Sequence, residues 1–306
     1  MALSKSLELL LDKVFDYSGI FPPANLSLED AFNKTINFNK ELKNKFWINS
    51  DLVLGYEKLD ELLDIIKSKT NLDRHIKISV LSPNTIDNFE ELFILIEKIN
   101  NFQQNQKNLI LIQSLETKIT DNFLLLDNNT KDKLSYLGTN FSVSLEPDLS
   151  NQNWQNRLEN SINFISLNKS NLLLKIRGTG PTKIENNKIA KVIKFASNAN
   201  INLKATGGLH HPIIEKKLYE NNLGFLNLSL AIFFAKTFPD QISEEFIFEL
   251  LENDNCSSFD FSNGIAYKHL NISLSEVQSI KSTYIFSIGS CSINEPDDDI
   301  NRLFQI

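Results

Sequence analysis

The sequence has 306 residues, a formal net charge of −7 and 42% hydrophobic residues, enough apolar material for one large domain or two modest ones. The acidic balance argues against non-specific nucleic-acid binding. Two cysteines provide neither a disulfide framework nor a zinc spacing, and no apolar run approaches the length of a membrane span. We therefore expect a cytoplasmic protein that acts on a small-molecule substrate without a cofactor, binds neither nucleic acid nor membrane, and can form a homo-oligomer.

Short apolar runs alternate with longer amphipathic stretches along the chain. The runs that predict β-strands are Val14–Ile20, Phe46–Leu54, Ile76–Ser82, Leu109–Leu115, Asn140–Glu146, Leu172–Arg177, Ile201–Thr206 and Phe225–Ser229. The stretches that predict helices are Ser27–Lys43, Glu57–Lys67, Thr85–Asn100, Trp154–Leu167 and Lys188–Ala199. Strands that alternate with helices predict parallel βαβ units, and eight of them fit a closed (β/α)₈ TIM barrel. We expect the barrel over residues 1–250 and a C-terminal extension packed on it over residues 251–306.

The last four predicted strands alternate strictly between apolar and polar residues. Their polar positions are Ser142, Ser144, Glu146, Lys175, Arg177, Asn202, Lys204, Thr206, Asn227 and Ser229. Because helices cover the outer face of a barrel, the polar face should point inward. Burying so many polar groups is costly unless they pair or hydrate. The pattern therefore predicts a solvated functional interior near the C-terminal strand ends, or alternatively an internal salt-bridge network.

Two of these strands contain an inward lysine and end in a glycine-containing turn. Lys175 precedes Ile176-Arg177-Gly178-Thr179-Gly180, and Lys204 precedes Ala205-Thr206-Gly207-Gly208. One βαβ step separates the lysines, so their strands should be neighbours about 4.8 Å apart. Two ammonium groups about 5–6 Å apart repel by about 3 kcal/mol, which lowers the pKa of a lysine by about two units. The repulsion therefore favours a neutral amine, which can attack a carbonyl carbon and form a Schiff base. Glu146, on the preceding strand, is a candidate ion-pair partner or proton carrier.

These paired segments resemble strands six and seven of class I aldolases of the deoxyribose-phosphate aldolase type. The resemblance implies that Lys175 is the Schiff-base nucleophile and that Lys204 is the second, pKa-lowering lysine. The segment after Lys204 keeps the family's spacing, whereas the segment after Lys175 is one residue longer before its Thr-Gly. No residue matches the family's strand-four aspartate, so Gln113 or Glu116 would have to stand in for it.

The chain as a whole also resembles a bacterial protein family to which we attach no activity. The matching segments are Phe15–Ala24, Lys204–Pro212 and Gly289–Ser292.

His210 and His211 follow the second glycine turn. Either is a candidate for acid–base catalysis or, with Asp16 or Glu146, for metal binding. The alternative is a histidine that packs the loop before Pro212. Asp16 lies in the first predicted strand, ahead of a loop that either covers the barrel mouth or forms a helix-packing turn.

Glycines and a cysteine complete the set of candidates. The backbone N–H groups of Gly207 and Gly208 are suited to holding a phosphate, as the loops after strands seven and eight of such barrels often do. Cys291 has no base beside it in the sequence, which favours a packed thiol over a nucleophile. The acidic run Glu295–Asp299 is most simply a solvated helix start.

These patterns favour a class I aldolase-like carbon–carbon lyase that acts on a small carbonyl compound through a lysine Schiff base. The predicted catalytic residues are Lys175, Lys204, Glu146 and His210. The predicted substrate-binding residues are Asp16, Arg177, Thr206, Gly207, Gly208, His211 and Asn227, with Arg177 suited to a carboxylate or phosphate. We assign no metal ligands. The alternatives are a metal-assisted hydrolase or isomerase that uses His210 or His211, and a barrel that binds a metabolite without catalysis.

Overall fold

The computed structural model describes residues 3–41, 48–69, 75–106, 109–125, 139–180, 182–214, 223–284 and 286–305. Their strands are β1 Phe15–Tyr17, β2 Ile48–Gly55, β3 Ile76–Leu81, β4 Ile110–Ile119, β5 Ser142–Pro147, β6 Leu172–Arg177, β7 Asn202–Thr206, β8 Phe259–Asp260, β9 Gly264–Tyr267, β10 Leu270–Ser273 and β11 Phe286–Ser290. Eight of them close a parallel barrel in the order β1-β11-β7-β6-β5-β4-β3-β2, and β10-β9-β8 form a small separate sheet. The predicted (β/α)₈ barrel is confirmed.

The described helices are α1 Lys5–Leu11, α2 Leu28–Glu41, α3 Leu59–Ser68, α4 Phe89–Gln106, α5 Trp154–Ser166, α6 Asn186–Asn198, α7 Phe225–Thr237, α8 Glu244–Leu251, α9 Leu274–Thr283 and α10 Asn294–Phe304. Their apolar spacing explains how they pack. In α3, for example, Leu59, Leu62, Leu63 and Ile66 are buried, the i, i+3, i+4, i+7 stripe of a helix that covers a core. No helix among the described residues combines the length and the apolar character needed to cross a membrane.

By their internal contacts the residues fall into two compact units, and each is described by itself. The unit of residues 16–43 and 50–175 contains most of β2, all of β3 to β5 and most of β6. These strands pair in parallel, with Leu52 opposite Ile78 and Val143 opposite Leu172. All four of these side chains are buried, so apolar residues on successive strands form the core of this unit.

The other unit comprises residues 1–15, 44–49 and 176–306. In it β7 pairs with β11 in parallel, with Leu203 opposite Phe286 and Lys204 opposite Ser287. The backbone N–H of Ile288 donates to the carbonyl of Val14 at 2.7 Å. Helix α8 packs against both α6 and α7, and the antiparallel sheet β8–β10 lies between α8 and α9 in the chain.

The prediction of the eighth strand was wrong. Residues 225–229 begin helix α7, which is buried on all sides from Phe225 to Ala235, and a short apolar run fits a buried helix as well as a buried strand. The eighth barrel strand is β11, inside the segment predicted as an extension. The barrel therefore reaches residue 290, and the elements from α8 to α9 are an insertion before its last strand.

One more strand prediction reaches beyond the described residues. The run Phe46–Leu54 corresponds to β2, but its first two positions lie outside the part of the chain that the structure describes. Four of the other predicted barrel strands match observed strands within two residues at each end, the predicted strand Leu109–Leu115 ends four residues before β4 does, and the first predicted strand contains β1.

Candidate functional site

The first candidate site is a buried ionic cluster centred on Lys175. The Nζ atom of Lys175 lies 2.9 Å from Oε2 of Glu116 and 2.8 Å from Oε2 of Glu146. The three side chains are 3–5% exposed, so the surrounding protein takes the place of water around these charges. At these distances the contacts are charge-assisted hydrogen bonds, which are stronger than neutral ones.

Three neighbouring strands position this cluster. Glu116 lies on β4, Glu146 on β5 and Lys175 on β6. Leu145 is paired with Leu174 across β5 and β6, so Glu146 and Lys175 follow in the next pair on the opposite face of the sheet. The alternation that leaves leucines on one face therefore places the charged residues together on the other.

Serines on β3 and β4 hold one of the carboxylates. The Ser79 hydroxyl donates to Oε1 of Glu116 at 2.7 Å and lies 2.6 Å from the Ser114 hydroxyl. Oε1 and Oε2 of Glu116 thus have different partners, a serine and Lys175, which fixes the orientation of the carboxylate. On β5 the buried Ser144 hydroxyl has no hydrogen-bond partner among the described residues. A buried hydroxyl without a partner is costly and is suited to a polar ligand.

Lys204 is buried on β7, where it is paired in register with Ser287. It lies in the other compact unit from Lys175. The mutual lowering of pKa that the sequence suggests therefore stays a prediction. The ionic partners shown for Lys175 are carboxylates.

The two glycine turns at the ends of β6 and β7 pack against each other. The Gly178 N–H donates to the Thr206 carbonyl at 2.9 Å. Gly207 has a φ of +78°, and a Cβ atom there would lie 2.5 Å from Oγ1 of Thr179. Gly208 also has a positive φ, of +74°. Close backbone packing thus accounts for the glycine at position 207 without any ligand.

Arg177 and Asp16 lie on barrel strands. Arg177 ends β6 and is half-buried, and its carbonyl accepts a hydrogen bond from the Ile184 N–H at 3.2 Å. Asp16, in the middle of β1, is buried. The C-terminal ends of barrel strands are where enzymes of this fold place their active-site residues, and Arg177 lies at such an end.

His210 and His211 contact acidic residues of α10. Nδ1 of His211 lies 2.6 Å from Oδ2 of Asp299, and Nδ1 of His210 lies 3.5 Å from Oε2 of Glu295. Since the two acids are four residues apart, they lie on the same face of the helix. The acidic run is therefore not only a solvated helix start. Among the described residues, no three His, Cys, Asp or Glu side chains converge to hold a metal ion.

Asn227 was predicted to lie on a strand, but in the structure it lies in a helix and has a structural role. Within α7 it is fully buried. Its Oδ1 accepts from the Ile214 N–H at 2.9 Å, and its Nδ2 donates at 2.8 Å to the carbonyls of Leu250 and Asn253. The side chain thus ties α7 to the preceding loop and to the end of α8, and we no longer assign it to substrate binding.

Sequence reasoning missed the place of two groups. Glu116 was considered only as a stand-in, and Ser79 was not considered. The signal was present, since Ser114, Leu115 and Glu116 alternate as the residues of β5 do.

We find no protein-family model, curated protein or solved structure that matches this chain. The class that fold and site define is thus a (β/α)₈ barrel with a buried lysine–diglutamate cluster.

Proposed function

We propose that this protein is an aldolase-like lyase that acts on a small carbonyl compound through a Schiff base on Lys175. The observation that supports it is the contact of a buried, strand-borne lysine with two buried carboxylates. Lysine is the residue that forms imines, and carboxylates within hydrogen-bond distance of its nitrogen can accept and return the protons that imine chemistry moves.

The reaction has four steps. Lys175 first transfers a proton to a carboxylate, and the neutral amine attacks the substrate carbonyl carbon. The carbinolamine loses water to give a protonated imine. The imine then withdraws the electron pair of the neighbouring carbon–carbon bond while a carboxylate removes the proton of the substrate's β-hydroxyl, which releases an aldehyde and leaves an enamine. Protonation of the enamine carbon and hydrolysis of the imine restore the amine and release the second product.

The geometry suggests different roles for the two carboxylates. Glu116 is oriented through Oε1 by Ser79, which suits a group that holds the Lys175 nitrogen in place. We assign the proton transfers to Glu146. Glu116 also lies on the fourth strand, where aldolases of the deoxyribose-phosphate type have an aspartate.

Reduction by borohydride in the presence of candidate carbonyl compounds, followed by peptide mass spectrometry, tests the proposal. We expect a stable adduct on Lys175 that forms at least about tenfold more slowly in Glu146→Gln, since a positioned acid–base group contributes two orders of magnitude or more. Lys67→Met, which changes an exposed lysine in the last turn of helix α3, is the matched control and should leave adduct formation unchanged. An adduct on Lys204 instead of Lys175, or no adduct on either, would overturn the proposal.

A further inference from the structure

A second group of reactive side chains lies at the ends of two paired strands. Cys291 directly follows β11, and His210 lies in the loop that follows β7. The Sγ atom of Cys291 is 3.7 Å from Nε2 of His210, within hydrogen-bond distance for sulfur. Residues at the C-terminal ends of barrel strands are where enzymes of this fold place catalytic groups.

The arrangement around His210 defines which ring nitrogen is the base. Nδ1 points toward the carboxylate of Glu295, with 3.5 Å between the two atoms. Nδ1 makes no hydrogen bond among the described residues, so Glu295 acts on the ring through its charge. A negative charge on that side favours the proton on Nδ1 and leaves Nε2 as the acceptor. Nε2 faces Cys291, whose thiol therefore donates to it. The order thiol, imidazole, carboxylate is the general arrangement of an activated nucleophile, its base and the group that orients the base.

The protonation state of His210 suits a base. Burial lowers the pKa of His210 below its usual value of 6.5; the carboxylate of Glu295 partly offsets this effect, and the neighbouring His211 adds to the lowering. The imidazole is therefore mostly neutral near pH 7, as a group that removes a thiol proton must be.

The second histidine keeps this loop in place. His211 contacts Asp299 at 2.6 Å, and Asp299 also pairs with Arg302 at 2.9 Å. The contact of His211 therefore anchors this loop to α10, and the charge of Glu295 lies one turn earlier on the same helix, 3.5 Å from His210. This anchor on the neighbouring residue limits the movement of the His210 imidazole relative to the residue that follows β11.

The other cysteine provides an internal comparison. Neither Cys256 nor Cys291 forms a disulfide, and Cys291 is the more buried of the two, so a faster reaction of Cys291 would not follow from exposure. Burial raises the pKa of the Cys256 thiol to about 11, which makes it a poor nucleophile at neutral pH. A base within reach of Cys291 should make the two thiols differ in reactivity.

We propose that Cys291 is a nucleophile, with His210 as its general base and Glu295 as the positioning residue, and that the site accepts an acyl group from an activated ester or thioester. The thiol proton passes to Nε2 of His210 as sulfur bonds to the acyl carbonyl carbon. The bond from that carbon to the leaving alcohol or thiol then breaks, and His210 protonates the leaving group. Water, deprotonated by His210, hydrolyses the acyl-cysteine and releases the acid. The proposal does not depend on the chemistry of Lys175.

The first test compares the alkylation of the two thiols in the full-length folded protein. Iodoacetamide is added at pH 7, aliquots are quenched, and the labelling of each cysteine is followed by peptide mass spectrometry. We expect Cys291 to react at least about tenfold faster than Cys256, and His210→Gln to remove most of this advantage while Cys256 is unchanged. Equal rates for the two thiols, or a Cys291 rate that His210→Gln leaves unchanged, would refute the role of His210.

Two further variants separate positioning from folding. Glu295 is 58% exposed, so Glu295→Gln should fold normally, and we expect it to slow the alkylation of Cys291 several-fold and to move the pH–rate profile. His211→Gln is the matched control on the neighbouring residue and should retain more of the Cys291 rate than His210→Gln does. The assignment of Glu295 is wrong if both the rate and the profile of Glu295→Gln equal those of the native protein.

The acyl specificity has its own measurement. With p-nitrophenyl acetate the site should release nitrophenolate and acetylate Cys291, and the Cys291→Ser protein should lose this adduct. Alkylation that is fast and dependent on His210, without any acetyl group on Cys291, would overturn the proposed substrate class. A failed borohydride trap on Lys175 would leave all these outcomes unchanged.

Discussion

Replacement of Lys175 by methionine is the most direct test of the ionic cluster. In the native protein the ammonium lies within 3 Å of both carboxylates. Without it, Glu116 and Glu146 face each other in a buried site. Two carboxylates about 5 Å apart at an effective dielectric of 20 repel by about 3 kcal/mol, and removing one partner of a buried ion pair costs about 3–5 kcal/mol. We expect Lys175→Met to lower the free energy of unfolding by this amount, a large share of the roughly 5–15 kcal/mol of a folded domain.

Urea denaturation at pH 7 and at pH 5 measures this effect. The loss should be largest at pH 7 and smaller at pH 5, because protonation of either carboxylate removes the repulsion. The same substitution at the exposed Lys67 of α3 should change the free energy of unfolding by no more than about 0.5 kcal/mol. If the two variants have the same urea midpoint at pH 7, the contacts of Lys175 with the two carboxylates do not stabilise the fold and the reasoning is refuted.

A fully apolar version of the cluster separates its contribution to stability from its chemistry. Replacing buried ion pairs by apolar residues of similar volume is often neutral or stabilising by about 1–4 kcal/mol. The triple variant Lys175→Met, Glu116→Leu, Glu146→Leu should therefore recover the stability that Lys175→Met loses, while borohydride trapping is abolished. A triple variant less stable than Lys175→Met would show that these charges are retained for the fold.

Three further predictions concern stability measured by urea denaturation. Burial lowers the pKa of Lys281 from 10.5 to about 8. The charged lysine therefore destabilises the folded protein below pH 8, and this cost disappears as the pH rises to about 10.5. We expect Lys281→Met to raise the free energy of unfolding by at most about 3 kcal/mol at pH 7 and hardly at all near pH 11. Asn227→Leu should cost about 3 kcal/mol, since three buried backbone groups lose their partner. Gly207→Ala should lower the free energy of unfolding more than Gly180→Ala does, because a Cβ atom at position 207 would lie 2.5 Å from Thr179, whereas one at position 180 would have no atom closer than 3.9 Å. Equal losses of stability would mean that only backbone strain matters, at about 1–2 kcal/mol for each position.

The sequence was informative wherever a structural property is local. The strict alternation of β5 and β6 predicted that Glu146 and Lys175 lie on the same kind of face, and in the structure the two residues are buried and paired. Alternation is a property of consecutive residues, so it can be recognised without knowing what the strand packs against. For the same reason the bounds of most predicted barrel strands agree with the observed ones.

The sequence predictions were wrong where the packing around a segment, and not its own residues, determines whether it forms a strand or a helix. Phe225-Leu226-Asn227-Leu228-Ser229 alternates as a strand does, yet it is helical. Buried helices tolerate polar residues when their own backbone or nearby loops satisfy them, and the Ser229 hydroxyl donates to the Phe225 carbonyl one turn earlier at 2.8 Å. The true last strand is short and contains two serines and a glycine, a weak signal until its pairing with β7 is known.

The contact between Cys291 and His210 could not be predicted from the sequence, for another reason. The two residues are 81 positions apart, and an insertion of two helices and a small sheet separates the strands whose ends bring them together. The sequence predicts a packed thiol, and Cys291 is buried; what the sequence does not show is a base beside it. Only the pairing of β7 with β11 supplies that base.

The two proposed sites differ in how the protein holds them, and this difference bears on what each can do. Lys175, Glu116 and Glu146 all project from strands, whose ladder of backbone hydrogen bonds fixes their positions, and rigid elements position reacting groups more accurately than loops do. Cys291, His210 and Glu295 come from a strand end, a loop and a helix. Among the described residues this loop is anchored to α10 by the contact of His211 with Asp299, and Glu295 places a charge 3.5 Å from His210. Imine formation needs a fixed amine through several proton transfers, which suits the strands. A thiol that accepts and then releases an acyl group needs a base that stays with it, and one face of α10 with two acids provides this restraint.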